Sequence, residues 1–261
     1  MSENILEISN LSKYFGGIAA VSDCSIKVKK GTITGIIGPN GSGKTTLFNL
    51  IAGNLKSSEG SVTFNNEIIT DVPSYQLFSK GLLRTFQIAH EFTNLSVLEN
   101  LMMVPGDQSG EELMNVLLKP SLIVKEEKQI KEKAQEVVDF LNLSHLKNEL
   151  AGNLSGGQKK LLELGRTMMV DAKLVLLDEV GAGVNRSLLK DLGTAIEKLN
   201  KEKGYTFCMI EHDMDFIGRL CDPVIVMAEG SVLFEGSVED AKKNEKVIES
   251  YLGRGSKLKD N

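Results

Sequence analysis

A glycine-rich stretch near the start of the chain has the residue types needed to hold phosphate groups. It follows the pattern G-x-x-x-x-G-K-[ST], in which glycines let backbone N–H groups turn toward an anion. Lys44 is expected to reach the β- and γ-phosphates of a nucleotide, and the Thr45 hydroxyl to bind Mg²⁺. The residues of this phosphate loop, all predicted to bind the nucleotide, are Gly38, Pro39, Asn40, Gly41, Ser42, Gly43, Lys44, Thr45 and Thr46.

Two adjacent acidic residues supply what hydrolysis needs besides phosphate binding. Asp178 and Glu179 follow the continuous apolar run 173–177, which predicts a buried strand. At the end of that strand, Asp178 would hold Mg²⁺, directly or through water, and Glu179 would be the general base for the attacking water. The alternative is that the two acids only cap the next helix.

A second stretch, Leu154–Gln158, predicts another anion site. It combines a serine hydroxyl, two glycine N–H groups and the start of a helix, where backbone N–H groups and the helix dipole favour negative charge. Its simplest alternative is an ordinary helix N-cap. With the phosphate loop, the chain is expected to carry two half-sites for nucleotide.

The elements around these motifs predict an α/β fold. The apolar run 32–37 indicates a strand before the phosphate loop, and residues 44–52 have helical spacing after it. Strands at 206–210 and 224–227, separated by helices, continue a β-α-β rhythm. This rhythm predicts a parallel core sheet.

Further segments predict a small β layer and a helical insertion. Residues 5–11 and 24–28 alternate like strands, and residues 13–17 are expected to interrupt the first of them. Helix-forming residues then predict a helical subdomain at about 96–170, which contains a loop that begins at residue 102. The prediction is therefore one domain over 1–253, with its core in 1–95 and 151–240, and a frayed tail at 254–261.

Composition limits the classes of protein to consider. The chain has 261 residues, 41% of them hydrophobic, which is typical of a globular protein with a full core. A net charge of −5 gives no basic footprint for nucleic acid, so no nucleic-acid partner is expected. Its three cysteines suggest neither a disulfide framework nor a zinc site, and the absence of a long apolar run predicts a cytoplasmic chain.

The Leu154–Gln158 stretch matches the signature of ATP-binding cassette (ABC) ATPases, and the chain resembles that family over almost its whole length. The resemblance implies a P-loop NTPase core with a parallel sheet, an antiparallel β layer and an inserted α-helical subdomain. It also implies ATP and Mg²⁺ as ligands, bound in a head-to-tail dimer. Each ATP would lie between the phosphate loop of one subunit and these residues of the other: Ser155, Gly156, Gly157 and Gln158.

The same resemblance assigns roles to residues outside the two motifs. Phe15 is expected to stack on adenine, although Tyr14 is an alternative. Gln87 corresponds to the glutamine that contacts Mg²⁺ and the attacking water, and His212 to the histidine that binds the γ-phosphate. Asn185 stands where many members of the family have aspartate.

A narrower resemblance points to the ATP-binding subunits of branched-chain amino acid importers. The features that carry it are Arg84–Gln87, the long helical insertion, the signature, Ala182–Asn185 and Ile210–Met214. It implies a second ATPase subunit, either a copy or a paralogue, two membrane permeases and, indirectly, a periplasmic or extracellular solute-binding protein. The chain would then lie at the cytoplasmic face of the inner membrane, with Ile88–Phe92 against a permease.

Other functions remain open from the sequence. A second hypothesis is an ABC transporter for another cargo, such as urea, other amino acids or lipopolysaccharide, because this chain would not touch the transported substrate. A soluble ABC protein acting on DNA or ribosomes is disfavoured by the acidic balance and the lack of a sustained heptad pattern. A nucleotide-binding regulator without turnover is disfavoured by the presence of both Glu179 and His212.

Overall fold

The computed structural model describes residues 4–85, 91–106 and 108–252. The chain divides into two compact units. The first, here called the sheet unit, comprises Met1–Arg84, Lys173–Gly181 and Ile196–Asn261. The second, the helical unit, comprises Thr85–Ala172 and Ala182–Ala195, a range that contains the predicted helical insertion.

The described residues form the following strands and α-helices. The strands are β1 (Asn4–Phe15), β2 (Ile18–Lys29), β3 (Ile33–Ile37), β4 (Glu59–Phe64), β5 (Glu67–Ile68), β6 (Leu82–Arg84), β7 (Leu174–Asp178), β8 (Thr206–Ile210), β9 (Val224–Ala228) and β10 (Ser231–Gly236). The α-helices are α1 (Lys44–Ile51), α2 (Ser74–Lys80), α3 (Val97–Met102), α4 (Leu113–Leu118), α5 (Pro120–Phe140), α6 (Gly156–Met168), α7 (Arg186–Lys203), α8 (Met214–Leu220), α9 (Val238–Lys243) and α10 (Glu245–Leu252).

The larger sheet of the sheet unit has the order β10-β9-β3-β8-β7-β6, and its strands are parallel except for β10. Strands β3, β7 and β8 are buried along their whole length. Continuous apolar strands are typical of a parallel sheet that is covered on both faces. The C-terminal ends of these strands meet at one edge, where the predicted phosphate loop and acidic pair both lie.

The smaller sheet is antiparallel, in the order β2-β1-β4-β5. Its buried side chains join those of α1 and the parallel sheet in one hydrophobic core. Residues 13–17 do not interrupt β1 as predicted, because Tyr14 and Phe15 still pair with β2 and the turn comes only at 16–17. The parallel sheet, the antiparallel layer and the surrounding helices confirm the predicted α/β fold.

The helical unit is built on α3, α5 and α6, together with the first part of α7. Ala134, Val137 and Val138 form the buried face of α5. The segment after Met102 was predicted to be a loop, but it contains the short helix α4, whose leucines are largely exposed. Within the described parts of the chain, no helix has both the length and the apolar character needed to span a membrane.

Candidate functional site

The phosphate loop joins the end of β3 to the start of α1. Gly38 and Gly43 both have positive φ, of 148° and 98°. A Cβ atom on Gly38 would lie 2.1 Å from the Met227 carbonyl oxygen, and one on Gly43 would lie 2.3 Å from that of Ala20. Glycine is therefore required at both positions, since any side chain would collide with the backbone.

The lysine of the loop is held by the loop itself. Lys44 Nζ donates hydrogen bonds to the carbonyl oxygens of Gly38, at 2.8 Å, and Pro39, at 3.0 Å. Burial lowers the pKa of Lys44, while the carboxylates of Glu179 and Asp178 act in the opposite direction. The ammonium group thus lies against the loop and is influenced by the two acids at the end of β7, and its contact with phosphate stays a prediction.

Asp178 is the last residue of β7 and is buried. Its Oδ2 atom accepts a hydrogen bond from Arg84 Nη2 at 2.7 Å. Carboxylate and hydroxyl oxygens are the ligands that Mg²⁺ prefers, so the donor chemistry of Asp178 and of Thr45 fits the predicted metal. Gln87, the third predicted ligand, lies outside the described residues.

Glu179 and His212 are brought into direct contact. His212 Nε2 lies 3.0 Å from Glu179 Oε1, although the two residues are 33 positions apart in the chain. The Glu179 backbone N–H is bonded to the Ile210 carbonyl, and its φ of 49° is left-handed. Because non-glycine residues in this conformation cluster at functional sites, the geometry supports the role assigned to Glu179.

A buried acid next to the histidine fastens the loop that follows Glu179. Glu211 Oε1 accepts a hydrogen bond from the Gly181 backbone N–H at 2.6 Å, and Oε2 accepts one from the His212 N–H at 3.2 Å. Burial raises the pKa of Glu211, and these backbone hydrogen bonds oppose the rise. Glu211 therefore links the strand end that carries His212 to the chain just after Glu179.

The signature stretch begins α6 in the helical unit with a capping box. Ser155 Oγ accepts a hydrogen bond from the Gln158 N–H at 3.4 Å, and Gln158 Oε1 accepts one from the Ser155 N–H at 2.8 Å. The cap uses the third N–H group of the helix, so those of Gly156 and Gly157 are left without an intrahelical acceptor. The predicted anion would bind at these N–H groups, of which the sequence predicts both to be exposed; Gly156 is exposed, but Gly157 is buried.

Asn185 caps the next helix of the helical unit. Its Oδ1 atom accepts a hydrogen bond from the Leu188 N–H at 2.9 Å, just before α7 begins. Asparagine and aspartate are equally good N-caps. The departure from the family pattern at this position therefore leaves the local structure intact.

Stacking of adenine on Phe15, with Tyr14 as the alternative, stays a prediction. Tyr14 and Phe15 end β1, and 42% and 49% of their surfaces are exposed. Lys13 Nζ lies 5.3 Å from the centre of the Phe15 ring. Consecutive strand residues point to opposite faces, so a single nucleotide can stack on only one of the two rings.

Sequence reasoning missed three residues around this site. Arg84 had a signal, since it is a charge at the end of the apolar run that forms β6. Glu211 had a weaker one, as an acid directly after a buried strand. Tyr251 in α10 had no such signal. Burial raises the pKa of its phenol, and a hydrogen bond from the backbone of Gly38, in the phosphate loop, opposes the rise.

The strand, phosphate loop and helix of the sheet unit, with an acidic pair at the end of a neighbouring parallel strand, define a P-loop nucleotide hydrolase. The model of the ABC transporter family matches residues 21–182. The chain belongs to this family and is an ATPase of the ATP-binding cassette type. The resemblance inferred from the signature is thereby confirmed.

Related proteins narrow the group within the family. The chain is 45% identical over 249 residues to a probable branched-chain amino acid transport ATP-binding protein, LivG, of Archaeoglobus fulgidus, covering 95% of each chain. It is 44% identical to the probable LivG protein of Methanocaldococcus jannaschii, over 95% of this chain and 97% of the other. It is 35% identical to BraF, a high-affinity branched-chain amino acid transport ATP-binding protein of Pseudomonas aeruginosa, over 97% and 99%.

Solved structures share the whole fold. A nucleotide-free ATP-binding cassette from an ABC transporter matches with a TM-score of 0.82 and 41% identity, covering 96% of this chain and all of the other. An ATP-binding cassette in its ADP conformation matches with a TM-score of 0.83, also at 41% identity, over 97% of this chain. The fold is therefore that of an ATP-binding cassette, while the relatives named above confirm the narrower resemblance to branched-chain amino acid transport ATP-binding proteins.

Proposed function

We propose that this chain is the ATPase subunit that drives import of branched-chain amino acids through membrane permeases. The observation that carries the proposal is the Glu179–His212 contact at the end of β7, the strand that also ends in Asp178. The cargo is supported by relatives that are named for branched-chain amino acid transport and match along 95% or more of this chain. Urea and lipopolysaccharide are the alternatives that a transport assay would reveal.

In this proposal the residues of the sheet unit bind ATP and activate water. The N–H groups of the phosphate loop and Lys44 hold the β- and γ-phosphates. Glu179 accepts the proton of the attacking water, and His212, which lies beside Glu179, donates a hydrogen bond to the γ-phosphate once nucleotide is bound. Asp178, Thr45 and Gln87 would hold Mg²⁺, which neutralises phosphate charge when bound.

The signature of one subunit would complete the site of another. Ser155 and the N–H groups of Gly156 and Gly157 bind the γ-phosphate held by the partner's phosphate loop. A two-fold pairing of this kind buries two ATP molecules and makes hydrolysis depend on closure of the dimer. The second subunit is a copy of this chain or a paralogue.

Closure of the dimer is coupled to two permeases at the cytoplasmic face of the cell membrane. The predicted docking segment is Ile88–Phe92, of which only Glu91 and Phe92 lie in the described part of the chain. Phe92 is half-exposed, and the Arg166 guanidinium lies 5.6 Å from the centre of its ring. An exposed aromatic ring next to a cation is suited to a protein contact. The solute-binding protein acts only through the permeases.

The Glu179→Gln variant tests this mechanism. Loss of the base is expected to lower the ATPase rate by about 10²–10⁴-fold while ATP binding is retained. Light scattering on the same samples should show a dimer of the variant with ATP and a monomer without it. Unchanged turnover in the variant would mean that another group activates the water.

Uptake of labelled leucine by cells that express the chain with its permeases tests the cargo. Competition by unlabelled leucine, isoleucine and valine, but not by urea, is the expected result. Glu179→Gln should abolish this uptake in the same cells.

A further inference from the structure

Arg84, at the end of β6, contacts the predicted metal ligand Asp178 on the neighbouring strand β7. Arg84 Nη2 donates a hydrogen bond to Asp178 Oδ2 at 2.7 Å. Only 13% of the Arg84 side chain and 3% of the Asp178 side chain are exposed. A buried carboxylate needs a partner for its charge, and here a guanidinium on the neighbouring strand supplies it.

The same guanidinium also holds the helix that follows the phosphate loop. Arg84 Nη1 donates a hydrogen bond to Asn49 Oδ1 at 2.6 Å. Asn49 lies in α1, and its carbonyl accepts hydrogen bonds from the N–H groups of Asn54 and Leu55. Arg84 is therefore fixed at two points, one on β7 and one on α1.

We propose that Arg84 is the positioning residue that orients Asp178 for the Mg²⁺ of a bound nucleotide. Because Arg84 occupies Oδ2, Oδ1 would be the oxygen left to hold the metal or a water on the metal. Partners that orient a metal ligand typically change metal affinity when they are removed. The proposal rests on the proposed function, since it assumes that nucleotide binds at the phosphate loop.

The arginine fork is what this role requires. A planar guanidinium can bond Asp178 and Asn49 at the same time, whereas a lysine offers a single charged point. A role limited to charge balance would be satisfied by lysine. The two substitutions Arg84→Met and Arg84→Lys therefore separate orientation from charge.

The experiment measures the affinity of the whole chain for fluorescent N-methylanthraniloyl-ADP, once with Mg²⁺ and once with EDTA. In Arg84→Met, the affinity gain that Mg²⁺ provides is expected to fall by about 10–100-fold relative to wild type, with unchanged affinity in EDTA. Arg84→Lys should restore only part of the gain. Lys80→Met, which removes an exposed ion pair with Glu67, is the matched control and should keep the full gain.

The Asn49→Ala variant keeps the test valid if Arg84→Met does not fold. It leaves the Arg84–Asp178 ion pair intact but removes the hydrogen bond from Arg84 Nη1 to Asn49, so a smaller loss of the Mg²⁺ gain is expected. An unchanged or larger Mg²⁺ gain in each of these variants that folds would overturn the inference and leave Arg84 a structural residue. If wild type binds the nucleotide in neither buffer, the proposed function itself fails.

Discussion

At the residue scale, the partner of each acid decides its chemistry. Three carboxylates lie at or next to the C-terminal ends of β7 and β8, and each has a different partner. Asp178 is bound by a guanidinium, Glu179 contacts a histidine, and Glu211 accepts backbone N–H groups. The first suits a metal ligand, the second a base, and the third a structural clamp.

The burial of Glu211, which its backbone hydrogen bonds only partly offset, makes stability depend on pH. Burial raises the folded-state pKa of Glu211 above its ordinary value of 4.5, and the Glu179 carboxylate adds to this while His212 opposes it. The stabilisation is fully present below the unfolded pKa and is lost as pH rises through the folded pKa. Each unit of pKa difference is worth about 1.4 kcal/mol.

Glu211→Gln should therefore gain stability relative to wild type as pH rises. The amide oxygen can still accept the Gly181 N–H, but the side chain no longer titrates. Urea unfolding of both proteins between about pH 5 and 8 would measure the difference in free energy of unfolding. Glu59→Gln, at an exposed position, is the control, and a difference that stays constant with pH would contradict the prediction.

At the scale of elements, helix starts are specified by neighbouring residues, whereas the pairing of strands depends on residues far apart in the chain. Both Ser96 and Ser155 begin helices with capping boxes, which the S-x-x-E/Q pattern specifies within four residues. The antiparallel sheet depends instead on contacts between distant residues. Gly60 in β4 faces the irregular pairing of β1 between Ser9 and Ser12.

Gly60→Ala is expected to destabilise this sheet strongly. Gly60 has a φ of 85°, and a Cβ atom there would lie 2.3 Å from the Asn10 carbonyl oxygen and 2.6 Å from Leu11 Cα. The strained backbone and the collision with backbone atoms should together cost at least ~2 kcal/mol. Thermal unfolding would show a lower Tm. Gly17→Ala, where a Cβ atom meets nothing within 4 Å, should leave the Tm almost unchanged.

At the scale of the whole molecule, the chain carries two motifs that the proposed dimer would combine across subunits. The phosphate loop belongs to the sheet unit and the signature to the helical unit. A variant in either motif then damages both sites of a homodimer. A mixed dimer of two different variants keeps one intact site.

Mixing Lys44→Ala with Ser155→Arg tests this arrangement. Each variant alone should be inactive, because one removes the phosphate-binding charge and the other fills the signature site. Random mixing makes half of the dimers mixed, each with one intact site, so about a quarter of the wild-type ATPase rate should return. Glu179→Gln mixed with Lys44→Ala is the control, since both changes affect the same half-site and no activity should return. Absence of recovery in the first mixture would point to a paralogous partner.

Local pattern was enough for the parts of the site that lie close together in the chain. The phosphate loop, the apolar strands and the capped signature helix are each specified within about ten residues, because turns, caps and strand periodicity are short-range. The β-α-β rhythm predicted a parallel core sheet, whereas the order of its strands came only from the structure. The local features could be predicted with the correct element types, although β1 runs further than expected and α4 was missed.

Only the tertiary structure decided which distant side chains meet. Arg84 and Asp178 are 94 positions apart, and Glu211 and Gly181 are 30 apart. Such pairs arise because parallel strands bring their C-terminal ends together, and the register between strands is set by the packing of the whole core. The sequence by itself determined that the chain binds nucleotide and by which motifs. The folded chain determined which groups contact the three acids at the ends of β7 and β8.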